Sequence, residues 1–163
     1  RLSDTALMEG AEDWLLPVLS GVTRIGNIRS EMLLHALDNL LGYDGRQGVD
    51  RIAPPAFTSP AGTRHDIDYA APAGPTIELR VQALFGLDIH PVVGAGKIPL
   101  VLSLTSPAGR PIQTTQDLPA FWRGSWHDVA RDMRGRYPKH NWPDRPWEAA
   151  ASLKTKKAQS RDA

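Results

Sequence analysis

Four of the five tryptophans of this 163-residue chain crowd its last third, and two of them fall into helical phase with other apolar side chains. Trp122, Trp126, Val129 and Met133 recur at i, i+4, i+7 and i+11, which is one face of a 3.6-residue helix. Large aromatics on an amphipathic face are buried scaffold far more often than they are exposed. A helix carrying this face must lie on a core, and the rest of the chain has to supply that core. Asp117 and Pro119 mark the first turn of the helix and Gly135 its stop. The strap that follows, through Tyr137-Pro138-Lys139-His140-Asn141-Trp142-Pro143, is kept extended by its prolines.

The remaining residues are enough for that task. Hydrophobic residues make up 41% of the chain and charged residues 23%, the balance of a soluble globular protein and not of a disordered or fibrous one. The length suits one domain with a proper core. No apolar run approaches the roughly 18 residues that span a bilayer, and the N-terminal stretch has no apolar signal core. The absence of cysteine excludes a disulfide framework and any thiolate metal site, and fits a cytoplasmic protein. The first residue is Arg1, which suggests a piece of a longer polypeptide.

Three zones divide the chain, and together they predict an α+β fold: an N-terminal helical pair, a small antiparallel, barrel-like β-sheet, and a long C-terminal helix with a Pro-rich strap. Residues 1–147 are expected to form a single domain, helical over 1–50, β-rich over 51–116, with the helix and strap over 117–147. Residues 148–163 are expected to be a disordered basic tail. In the first zone Leu7, Ala11, Trp14, Leu15 and Val18 recur at helical spacing until Pro17 kinks or ends the run. Ser30 is the expected N-cap of a second helix with the stripe Leu33, Leu34, Leu37, Leu40 and Leu41, stopped by Gly42. In the second zone, Ile77 and Leu79 alternate with Glu78 and Arg80, and Ile98 to Thr105 is rich in β-branched and aliphatic residues. Two identical Ser-Pro-Ala-Gly turns, at Ser59–Gly62 and Ser106–Gly109, predict two hairpins.

No catalytic signature is present. The chain has no GxxxxGK[ST], no HExxH and no GxSxG. Gly94-Ala95-Gly96-Lys97 precedes a strand and reads as a turn, not as a phosphate cradle, which has to open a helix. His65, Asp66 and Asp68 alternate along a strand and do not converge on a metal. His35 reads as a surface or boundary residue, and His90 sits in a loop with no partner legible in the sequence. No cofactor or metal is assigned to this chain.

Charge is unevenly spread. The chain from Phe121 onward carries ten Lys and Arg against five Asp and Glu, whereas the whole chain has a net charge of only +1. Arg123, His127, Arg131 and Arg134 form a stripe beside the tryptophan face, extended by Arg136 and Lys139. Two readings stay open. In one, Arg123, Arg131, Arg134, Arg136 and Lys139 contact phosphates, while Tyr137, His140 or Trp142 stack on the bases of a single-stranded RNA or DNA. In the other, the arginines pair with carboxylates of the same chain, and the aromatic rings pin the fold or dock on protein.

The segment from Thr105 to Pro146 resembles the C-terminal region of the bacterial HrpB-type helicases, DEAH-box ATP-dependent RNA helicases. Trp14-Leu15-Leu16-Pro17, Pro60-Ala61-Gly62 with Ile67-Asp68-Tyr69, and Arg80-Val81-Gln82-Ala83-Leu84-Phe85-Gly86-Leu87 share the resemblance, which covers nearly the whole chain. It implies a parent protein that binds and hydrolyses ATP with magnesium in two N-terminal RecA-like domains, none of whose motifs occurs here. It also implies that the chain is an accessory region whose partners are the helicase core of the same polypeptide and a nucleic acid. The alternative function is a structural or protein-interaction module.

Overall fold

A computed structural model describes residues 3–161. Two compact units divide at Arg51 and Ile52. The first is helical. Ser3 caps helix α1 (Asp4–Glu9) by accepting the Ala6 N–H, and Gly10 separates α1 from the short α2 (Ala11–Trp14). Regular helix ends before Pro17, as the missing proline N–H requires. Helix α3 (Ser30–Ile52) starts on Ser30 itself, with the Met32 N–H bonded to the Arg29 carbonyl. It does not stop at Gly42. The chain breaks there, at φ 64° and ψ 179°, and resumes helix to Ile52. Positive φ costs glycine little, so this residue serves as a kink between two helical stretches. The leucine stripe is not a packed seam. Ala36 is the buried residue of α3, while Leu34 and Leu40 face solvent.

Among its described residues the second unit holds three small sheets and no closed barrel. Strands β1 (Ala56–Thr58) and β2 (Arg64–Asp66) form an antiparallel hairpin. Strands β3 (Thr76–Arg80), β6 (Val101–Thr105) and β7 (Pro111–Thr115) form the main sheet, ordered β3-β6-β7. Between them β4 (Val92–Val93) and β5 (Ile98–Pro99) form a two-stranded ribbon around the Gly94–Lys97 turn. The expected antiparallel, barrel-like sheet is thus corrected. β6 and β7 are antiparallel, but β3 pairs parallel to β6, with Thr76 opposite Val101 and Arg80 opposite Thr105. Parallel pairing needs a long crossover. Here it is residues 81–100, which contain a buried 3-10 turn, Val81–Leu84, and the ribbon.

Both Ser-Pro-Ala-Gly turns close hairpins in the same way. The Gly62 N–H bonds to Ser59 O at 2.8 Å, and the Gly109 N–H to Ser106 O at 2.9 Å. Each glycine takes positive φ, 77° and 75°, the left-handed position that follows a type I turn in a three-residue hairpin loop. Each serine is buried, and its Oγ accepts the N–H four residues on, from Thr63 or Arg110.

The long C-terminal helix is two helices. α4 (Leu118–Arg123) is capped by the Asp117 carboxylate, which accepts the Ala120 N–H at 3.0 Å. Gly124 ends it, and α5 (Trp126–Arg136) runs past Gly135, which lies inside its last turn. A Cβ on Gly124 would stand 2.9 Å from the Ala120 carbonyl oxygen, so only glycine fits the break. The tryptophan face survives the break. Trp122 and Trp126 meet edge to face at 5.2 Å, and Phe85 and Phe121 complete the aromatic cluster. Ile77, Leu79, Leu84, Leu102 and Leu104 form the aliphatic part of the same core. Both indole N–H groups are satisfied, Trp122 by Leu87 O and Trp126 by Pro143 O. Beyond the strap, Ala149, Ala151 and Leu153 pack against this core, and α6 (Lys156–Gln159) follows.

Candidate nucleic-acid interface

The basic residues singled out in the sequence are distributed by α4, α5 and the strap. Arg123 leaves the end of α4 and makes a two-pronged contact with Asp88, at 2.6 and 2.7 Å, while its guanidinium lies 4.7 Å from the Trp147 ring centre. Such paired N–H···O geometry is specific to arginine. The hydrogen bond from Arg123, with its charge adding to the effect, holds the Asp88 carboxyl below the usual carboxylate range, and Asp88 in turn raises Arg123. Arg131 pairs with Asp128 at 3.2 Å and contacts His127. Arg136 pairs with Asp132 at 3.0 Å, one helical turn back. Arg134 donates twice to the Trp142 carbonyl and also pairs with Asp144, so it ties α5 to the strap.

The aromatic candidates are mostly structural. Trp142 is 3% exposed, packs 6.2 Å from Trp126, and donates its indole N–H to Tyr137 O. It has no free face for a base, which corrects its assignment as a stacking residue. Its burial follows from the strap folding back under α5, which proline content alone does not reveal. Tyr137 is half-buried and bonds to Ser106 Oγ at 3.2 Å, joining the strap to the second Ser-Pro-Ala-Gly turn. His140 is half-buried; burial, and secondly the charge of Arg80, press its imidazole toward the neutral form. Lys139 is exposed. Of the expected scaffold, Trp122, Trp126 and Met133 are buried and Val129 is partly buried against the core.

Sequence reasoning missed several participants. Asp88 and Trp147 flank Arg123 from 35 and 24 positions away, and no local pattern marks them. Asp128 with Arg131, and Asp132 with Arg136, sit at i,i+3 and i,i+4, so their spacing was a usable signal. His90 does have partners. It bonds to the Leu100 carbonyl at 2.8 Å and accepts the Leu118 N–H on Nδ1 at 3.0 Å, so Nε2 carries the proton and donates to Leu100. It thereby satisfies one of the unpaired N–H groups that open α4. Among the described residues no cluster of His, Asp or Glu could hold a metal ion, and no helix is long and apolar enough to cross a membrane.

An α+β module results whose chemistry is aromatic packing and paired surface charge. The chain belongs to the HrpB_C family, ATP-dependent helicase C-terminal, whose pattern matches residues 14–146. It is 40% identical over 156 residues to the ATP-dependent RNA helicase HrpB of Escherichia coli K12, covering 96% of this chain and 19% of that protein. Two solved structures are similar. The crystal structure of E. coli DExH-box NTPase HrpB superposes with a TM-score of 0.83 at 40% identity, over 93% of this chain and 19% of that one. That of the E. coli DEAH/RHA helicase HrpB gives 0.67 at 38% identity, over 86% of this chain and 18% of that one. The chain therefore corresponds to about a fifth of the length of these relatives, at the C-terminal helicase region.

Proposed function

We propose that this chain is an accessory, non-motor domain of an ATP-dependent RNA helicase and that it works by docking on the rest of the helicase polypeptide. The observation that carries this reading is the helical unit. Among its described residues the one buried apolar side chain is Ala36, while Ile25 is 88% exposed, Tyr43 76% and Leu34 62%. Apolar surface of this kind marks an interaction face. Most of the length of the E. coli relative lies outside the matched region, and on this reading the covering surface belongs to the corresponding part of the same polypeptide. On this reading ATP and magnesium belong to the motor, and no residue of this chain is assigned to them.

Association with the motor portion of a HrpB-type helicase, measured by calorimetry, tests it. The expected result is a one-to-one complex that Leu34→Asp with Tyr43→Asp weakens by about tenfold or more, with tryptophan fluorescence unchanged. A wild-type chain that forms no complex overturns the reading.

Nucleic-acid contact through the arginine stripe is the second reading. It is favoured by the solvent-facing position of Arg131 and Arg136, whose carboxylate partners are exposed neighbours on the same helix. Exposed pairs of this type contribute little in water, so a phosphate can displace the carboxylate. Arg123 and Arg134 are less available, because each also holds the fold together.

A further inference from the structure

Two groups stand out among the cations of the C-terminal third. Arg123, Arg131, Arg134, Arg136 and Arg145 each have a carboxylate partner. Lys139, Lys156 and Lys157 form no ion pair among the described residues, and they line one cleft of about 570 Å³ together with Thr155. The cleft exists because the chain after the strap returns to it. The Lys156 N–H donates to the Lys139 carbonyl at 2.8 Å, and the Gln159 side chain donates to Lys154 O at 3.0 Å. Lysines 17 and 18 positions from Lys139 in sequence are thereby brought beside it.

Lys139, Lys156 and Lys157 bring three like charges to one cleft, and among the described residues no carboxylate lines it. Arg80, also without an ion pair among the described residues, adds positive charge near the adjacent His140. Such an arrangement is completed by an anion. Lysine acts on phosphate as a point charge, without the planar fork that reads a base edge. Water takes about 30 Å³ per molecule in the liquid, so the cleft has room for more than a single phosphate group. A run of backbone phosphates fits both the volume and the sequence-blind chemistry.

We propose that the Lys139–Lys156–Lys157 cleft binds the phosphodiester backbone of single-stranded nucleic acid. The proposal rests on the reading of the chain as an accessory part of an RNA helicase, and it moves the contact from the arginine stripe to the lysines. The test is fluorescence anisotropy of a labelled oligouridylate with the full chain across a salt series. The triple variant Lys139→Gln, Lys156→Gln and Lys157→Gln keeps the backbone bond that forms the cleft. Loss of three phosphate contacts is expected to flatten the slope of log K against log salt by about 2 and to weaken low-salt binding by about tenfold or more. The variant Arg131→Gln with Arg136→Gln is the arginine control that separates this site from the stripe, and the lysine site predicts a smaller loss from it than from the triple variant.

The proposal falls if the triple variant binds like wild type, or if the wild-type chain does not bind oligouridylate at low salt. It also falls if oligoglutamate of equal charge displaces the oligonucleotide with equal potency, which would make the cleft a site for an acidic protein segment. Loss of binding in the arginine control alone would sink the lysine site while leaving nucleic-acid contact by the domain intact. Association with the motor portion is measured separately, so the docking reading survives or fails on its own.

Discussion

At the scale of single residues, Arg123 and Arg134 of the expected contact stripe also brace the fold. Arg123 is the clearest case. Its two bonds to Asp88 and its place over Trp147 join the end of α4 to the loop after the 3-10 turn and to the end of the strap. The pair also makes stability depend on pH. The folded-state pKa of Asp88 lies below its ordinary value of 3.8 because Arg123 bonds to the ionised carboxylate. Its contribution is therefore present above that ordinary value and is lost as pH falls through the lower, folded-state value. Asp88→Asn is expected to be less stable than wild type at pH 6, with the difference shrinking toward pH 2. Urea unfolding across this range checks the sign, and a difference that grows in acid contradicts the pairing. The partner was not legible in advance, since Asp88 and Arg123 are 35 residues apart. The burial of Trp122 and Trp126 was legible, because ring size and helical spacing both appear in the sequence.

At the scale of elements, the caps and turns were the readable part. Asp117 caps α4 and both Ser-Pro-Ala-Gly turns close as their residues demand, because these depend on four or five neighbouring residues. Where an element ends was harder. Gly42 and Gly135 both looked like stops, yet α3 resumes after Gly42 and α5 passes through Gly135. The true break of the C-terminal helix is at Gly124, where the polypeptide turns so tightly that the Ala120 carbonyl crowds the missing Cβ. Gly124→Ala is expected to destabilise the second unit by about 1–3 kcal/mol, because the obstructing atom is backbone and cannot swing aside. Gly135→Ala, with open space around its Cβ, is the matched comparison and is expected to be neutral or stabilising. Thermal unfolding of the two variants measures the contrast, and equal effects would refute the steric account.

At the scale of the whole molecule, the two units differ in how much they bury. The second has a core of aliphatic residues from β3 and β6 under an aromatic cluster, whereas the first buries Ala36. Local opening costs least where few apolar groups are covered. Amide exchange in α3 is accordingly expected to be at least about a hundredfold faster than in β6 in the isolated chain. Comparable protection in the two elements would mean that the first unit has a core of its own. The sequence by itself determined the α+β class, the Asp117 cap, the two Ser-Pro-Ala-Gly turns, the burial of Trp122 and Trp126, and the helicase family. Each rests on periodicity, on turn chemistry spanning a few residues, or on a long shared pattern. Only the tertiary structure decided that β3 runs parallel to β6, that Trp142 is core, that Arg123 pairs with Asp88, and that Lys156 and Lys157 return to Lys139. Those outcomes depend on contacts between residues far apart in the chain, where loop closure and packing choose the partner and local spacing carries no record of the choice.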